Sequence, residues 1–175
     1  MNLIKFYKVE YKMNQEQILN LLADISENNS IKKEFLNLLI EVLDLRKNPY
    51  HPFAFINGNP KIGKNVSIGF FSEINAKNIN VEIGDNCDIA SFVAINAADS
   101  HKRCIGLLDD IERKDIVLEN NVFVGSHCFI GGGVHIGHNS VIAAGSILIN
   151  TEYIPPYSLV IGNPPVIKKG YYEKK

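Results

Sequence analysis

The chain has no tryptophan, two methionines and three cysteines among 175 residues, and its formal net charge is only −1. Each scarcity narrows the function. Without an excess of positive charge there is no electrostatic footprint for nucleic acid. No apolar run reaches the roughly 20 residues that a spanning helix needs, so no membrane span is expected. The opening segment MNLIKFYKVEYK carries lysines among its apolar residues and lacks a signal-peptide core, so a cytoplasmic location is expected. Three cysteines fit that reducing compartment. At this length one domain is expected, with room for a small extra element.

What the chain does have is a period of six. An aliphatic residue recurs at Ile62, Ile68 and Ile74, then at Ile83, Ile89 and Ile95. It recurs again at Leu118, Val124, Ile130, Ile136, Ile142, Leu148, Ile154, Val160 and Val166. Four residues after most of these stands a smaller residue, among them Val66, Ser72, Cys87, Val93, Cys128 and Ser146. A glycine often follows the aliphatic one, as in Ile62-Gly63 and Ile136-Gly137. Short periods of this kind predict a mainly β fold, a β-solenoid in which six residues make one flat side and three sides close a turn. The aliphatic residues point inward and stack into one continuous core. Glycine is expected to relieve the backbone at the corners. Cys87 and Cys128 fall on the small inward position and read as core fillers, while Cys104 lies in a loop.

Ahead of the coil the period turns helical. Asn14 reads as an N-cap, with Gln17 at the capping-box position. Ile18, Leu21, Leu22 and Ile25 form one apolar face; after a turn in which Ser30 can cap the next helix, Ile31, Phe35, Leu38, Leu39 and Val42 form a second. Residues 1–12 alternate loosely, as a strand or edge segment would. Two short helices do not stand alone, so 1–50 reads as a helical cap and 51–167 as the coil domain. Residues 168–175 form a basic, tyrosine-bearing tail. The repeat breaks twice, between Ile74 and Ile83 and between Ile95 and Leu118. The second break begins at Asp99-Ser100-His101 and is expected to be an external loop of about 99–115, where function concentrates.

The second half carries an ordered series: Asn121-Val-Phe-Val-Gly-Ser-His127, Gly133-Val-His-Ile-Gly-His-Asn-Ser-Val141, Ala143-Ala-Gly-Ser146, Ile154-Pro-Pro156 and Gly162-Asn-Pro164. This run resembles the hexapeptide-repeat acetyltransferases, closest to the galactoside, maltose and polysaccharide O-acetyltransferase group. Phe123 stands where that group usually has tryptophan, and the helical leader does not match the group's own. The resemblance implies a left-handed parallel β-helix, against the usual crossover hand. It also implies a homotrimer with sites between neighbouring coils, and acetyl-CoA as co-substrate.

In that group a histidine opens the external loop, and His101 occupies its place here. An acceptor must lose a proton to attack a thioester, and neutral imidazole, with a reference pKa of about 6.5, can take it. Asp99 could orient the ring, as could a backbone carbonyl; the alternative for His101 is a solvated loop histidine. The thioester oxygen gains charge in the transition state and needs N–H donors. By resemblance the Ser126 amide, after Gly125, is the candidate, against a routine corner of the coil. Ala144 and Gly145 match positions where the group's backbone meets the pantetheine arm. Lys168 and Lys169 match a basic pair for the CoA phosphates, or are a solvated tail. Ser72, Glu73 and Asn75, at the first break, are weak candidates for touching a sugar acceptor and stronger ones for ordinary corner residues.

His127, His135 and His138 fall at different hexad positions, so converging metal ligands are not expected. That also argues against a hexapeptide metalloenzyme of the carbonic anhydrase type. The leading expectation is acetyl transfer from acetyl-CoA to a sugar hydroxyl, of a free sugar or a surface-polysaccharide unit. The rivals are N-acetylation of a nucleotide-linked amino sugar, acylation of another small acceptor, and a non-catalytic hexapeptide scaffold.

Overall fold

The computed structural model describes residues 15–42, 49–151 and 153–174. The chain divides into two units, Met1–Leu45 and Arg46–Lys175. In the first, helix α1 (Gln15–Glu27) packs against helix α2 (Asn29–Val42). The cap of α2 is Asn28, not Ser30. Its side-chain oxygen accepts hydrogen bonds from the Ser30 and Ile31 amides at 3.0 and 3.3 Å, which serves two of the orphan donors of the first turn. Asn14 and residues 1–12 lie outside the described residues.

The second unit is a parallel β-solenoid with three faces. The first stacks β1 (Phe55–Gly58), β4 (Glu73–Ala76), β7 (Ala94–Asn96), β12 (Phe129–Gly131) and β15 (Ile147–Leu148). The second stacks β2 (Lys61–Ile62), β5 (Val81–Ile83), β10 (Ile116–Leu118) and β13 (His135–Ile136). The third stacks β3 (Ser67–Ile68), β6 (Asp88–Ile89), β11 (Phe123–Val124), β14 (Val141–Ile142) and β16 (Leu159–Ile161). The aliphatic residues pair with their own kind from coil to coil. Ile74 is beside Ile95 and Ile130 beside Leu148; Ile83 is beside Leu118, and Val124 beside Ile142. Residues from Leu118 to Val160 at this spacing are at most 1% exposed. Each such side chain contributes roughly 1.5–3 kcal/mol on burial, so the stacked columns supply the folding force.

Two details differ from the sequence expectation. Left-handed backbone falls three residues before the aliphatic one, at Asn65, Phe71, Asn86, Phe92, Asn121, His127, Asn139 and Tyr157. The glycines after the aliphatic residue serve close approach instead. A Cβ on Gly69 would lie 2.6 Å from the Ser91 nitrogen of the next coil. The second difference is Val166, which belongs to β17 (Val166–Lys168), antiparallel to β16. The chain reverses after Gly162, so Val166 is 59% exposed, while Ile167 pairs with Val160 and packs on the core.

Between Ala97 and Ile116 the chain leaves the coil. It forms β8 (Ala98–Asp99), the short helix α3 (His101–Cys104) and β9 (Glu112–Arg113), with β8 and β9 antiparallel. Among the described residues no helix is long and apolar enough to cross a membrane.

Candidate functional site

The excursion positions His101. Pairing of β8 with β9 fixes Asp99 at the foot of α3. One Asp99 oxygen then accepts two hydrogen bonds from His101, from its amide at 3.0 Å and from ring Nδ1 at 2.6 Å. The amide bond first, and the ring bond second, hold the Asp99 carboxyl below its usual range. Because an ionised carboxylate only accepts, Nδ1 carries the hydrogen. Nε2 is left as the nitrogen able to take a proton, the tautomer general-base chemistry requires.

His101 lines a cleft of about 450 Å³. Its floor is the end of face one, with Asn96, Phe129, Gly131 and Gly132; its rim carries Lys102, Glu112, Lys114, Ile149 and Asn150. Lys102 binds Glu112 at 2.9 Å. Asn75 reaches this cleft only indirectly: its side-chain nitrogen bonds the Asn96 oxygen at 3.2 Å, in a ladder begun by Asn57. Glu73 is exposed at the opposite end of β4. Ser72 is fully buried. Its hydroxyl donates to the Ala90 carbonyl and accepts from the Val93 amide. It belongs to the interior of the coil and cannot meet an acceptor.

A second group gathers at the corner between faces three and one. Gly145 donates its amide to the Ser126 carbonyl at 2.9 Å, and a Cβ on Gly125 would lie 2.6 Å from the Ala144 nitrogen. Gly125, Ser126, Ala144 and Gly145 thus form one edge. Neither the Ser126 nor the Ala144 amide donates to another backbone group among the described residues. Gly145 has φ +71° and nothing within 4 Å of where a Cβ would stand, which leaves open space along this edge. Strand β12 separates the edge from the His101 cleft, so one chain holds the two on opposite margins of face one. Lys168 pairs with Leu159, at the far end of face three from Gly145, and its ammonium lies 5.7 Å from the Tyr171 ring centre. Lys169 is exposed beside it.

The histidines differ from their sequence reading in one respect. His135 and His138 do converge, each on one oxygen of Glu119 at 2.9 Å. Burial pushes the Glu119 carboxyl up, but bonds from the His138 ring and amide and from His135 outweigh it, and the net shift is downward. The carboxylate bridges the rings instead of sharing a point with them, and no group of three metal-ligating side chains is found among the described residues. Glu119 escaped the sequence reading. Its signal was its place after Leu118, where Gly63, Gly84 and Gly137 stand in other coils. His127 lies apart, its ring stacked on Phe92 at 4.9 Å.

Family models match at two places: the bacterial transferase hexapeptide (six repeats) over residues 115–150, and the hexapeptide repeat of succinyl-transferase over residues 61–97. The polySia-specific acetyltransferase NeuO is 30% identical, with a TM-score of 0.56 over 70% of this chain and 63% of that one. Galactoside acetyltransferase in complex with coenzyme A is 27% identical, with a TM-score of 0.60 over 95% of this chain and 88% of that one. The chain is a hexapeptide-repeat protein, similar to these acetyltransferases. Its solenoid is a left-handed parallel β-helix. Among curated relatives, the bifunctional protein GlmU of Clostridium botulinum (strain Kyoto / Type A2) is 32% identical over 132 residues, 71% of this chain. The chain spans 28% of that relative's length. In this hexapeptide-repeat chain, His101 stands on the excursion and the small-residue edge on the coil itself.

Proposed function

We propose that the protein transfers an acetyl group from acetyl-CoA to a sugar hydroxyl, with His101 as general base. The observation that carries this reading is the Asp99–His101 pair at the mouth of a cleft, with Nε2 left free. His101 Nε2 takes the hydroxyl proton as the oxygen attacks the thioester carbonyl. The Ser126 amide holds the resulting oxyanion. Collapse forms the ester and breaks the C–S bond; the imidazolium returns its proton to the departing CoA thiolate. Asp99 keeps the ring oriented and stabilises its charged form.

The open edge at Gly125, Ala144 and Gly145 suits a narrow pantetheine arm, and Lys168 and Lys169, across face three, suit the phosphates at the nucleotide end of CoA. Because that edge and the cleft lie on opposite margins of one face, a complete site requires the edge of one subunit against the cleft of the next. A homotrimer supplies that arrangement three times. The acceptor is a free sugar, a polysaccharide unit or a nucleotide sugar. A cytoplasmic location accords with an acyl-CoA donor and three unpaired thiols.

The test is acetyl transfer to matched hydroxyl and amino sugars by wild type and His101→Ala. Loss of transfer to hydroxyls by about 10²–10⁴-fold supports the base. Transfer confined to amino sugars, with the variant still active, means N-acetylation of an amine that has already lost its proton.

A further inference from the structure

Among the charged groups of the cleft, Lys114 has no carboxylate partner among the described residues. Asp99 is taken by His101, and Glu112 by Lys102. Among the described residues the Lys114 ammonium meets the neutral Asn150 side-chain oxygen, at 3.2 Å, and no carboxylate. Its stem is nonetheless given a bed. A Cβ on Gly132 would lie 3.1 Å from Lys114 Cβ, and one on Gly133 would lie 3.3 Å from Lys114 Cδ. Side chains at either position would push the lysine away. Gly131 adds a second allowance, since a Cβ there would lie 3.3 Å from Phe129 Cε1. Its absence leaves the Phe129 ring edge open to the cleft, beside Ile149.

These features describe one ligand. The apolar surface of Phe129 and Ile149 suits the C–H groups of a sugar ring. An ammonium with an adjacent amide suits an anion, for which lysine acts as a point charge. We infer that the acceptor of this cleft is an acidic sugar whose carboxylate or phosphate is held by Lys114 and Asn150 while His101 faces a hydroxyl. The inference rests on the acetyl-transfer reading of the same cleft and names its substrate class.

The experiment compares glucose, glucuronate and glucose 1-phosphate as acceptors for wild type, Lys114→Met and Lys114→Arg. The expected result is a KM for one or both anionic sugars that rises about tenfold in Lys114→Met, with kcat held, the KM for glucose unmoved, and Lys114→Arg close to wild type. The two anionic arms separate a carboxylate from a phosphate. Binding of the same three sugars is titrated calorimetrically without donor, so Lys114 is judged even if no sugar is acetylated. Equal effects on charged and neutral sugars, or none, overturn the inference and leave the His101 mechanism standing. Absence of transfer to every sugar overturns that mechanism, and the titration then decides Lys114 alone.

Discussion

From Leu118 to Val160 an aliphatic residue returns at every sixth position and is buried each time. Between Ala97 and Ile116 nothing repeats, and Ile105 and Leu107 are 65% and 67% exposed. The two regions are held by different forces. The coil is held by stacked apolar columns and parallel ladders. The excursion is held by one two-stranded pairing and exposed ion pairs, each of the kind that contributes about 0–1 kcal/mol. The first arrangement gives a rigid platform; the second allows polar side chains to be set by chemistry instead of packing.

This contrast can be broken first in the core. Ile130→Ala should lower unfolding free energy by about 2–5 kcal/mol, because the stacked column cannot collapse around the lost methyls. Leu107→Ala, on the excursion, should stay within about 0.5 kcal/mol. Denaturant unfolding of both variants measures the difference, and equal losses would erase the distinction. A smaller effect is expected at Asp99. Asp99→Asn should slow acetyl transfer about fivefold, the rate equivalent of about 1 kcal/mol for an exposed pair, while leaving the melting temperature in place.

A pH-dependent effect belongs to Glu119, on the coil. Its carboxyl is held below the usual range in the folded chain, so its contribution is fully present above about pH 4.3, the ordinary glutamate value. The contribution is lost as pH falls through the lower folded-state value. Wild type should exceed Glu119→Gln by at most about 1 kcal/mol near neutral pH, with the gap closing in acid. A gap that widened in acid would reverse the assigned direction.

The same contrast governs what could be read in advance. Burial leaves a period in the sequence, so the columns from Ile62 to Val160 and both interruptions were legible. Val166 kept the period by number alone, since the reversal after Gly162 turns its side chain outward. The left-handed corner residues were not legible, because Phe71, Phe92 and Tyr157 are poor signals for positive φ. A resemblance supplied the positions of His101 and Gly145, and the structure places the first on the cleft and the second on the open edge. Relations created by stacking were not readable. Glu119 meets His135 and His138 from the previous coil, and Lys114 lies on Gly132 and Gly133 of the next. Ser72 was read both as an inward column residue and as a corner residue, and its burial puts it in the column.

The most direct measurement is excision of residues 98–114, which would set Leu118 six residues after Ile95 and continue the repeat without a break. Unfolding and acetyl transfer would be followed together on the excised protein. A coil that keeps its circular dichroism and cooperative unfolding while losing all transfer is the predicted result. Loss of the fold would contradict the independence of the two regions, and transfer at the wild-type rate would contradict the placing of the chemistry on the excursion.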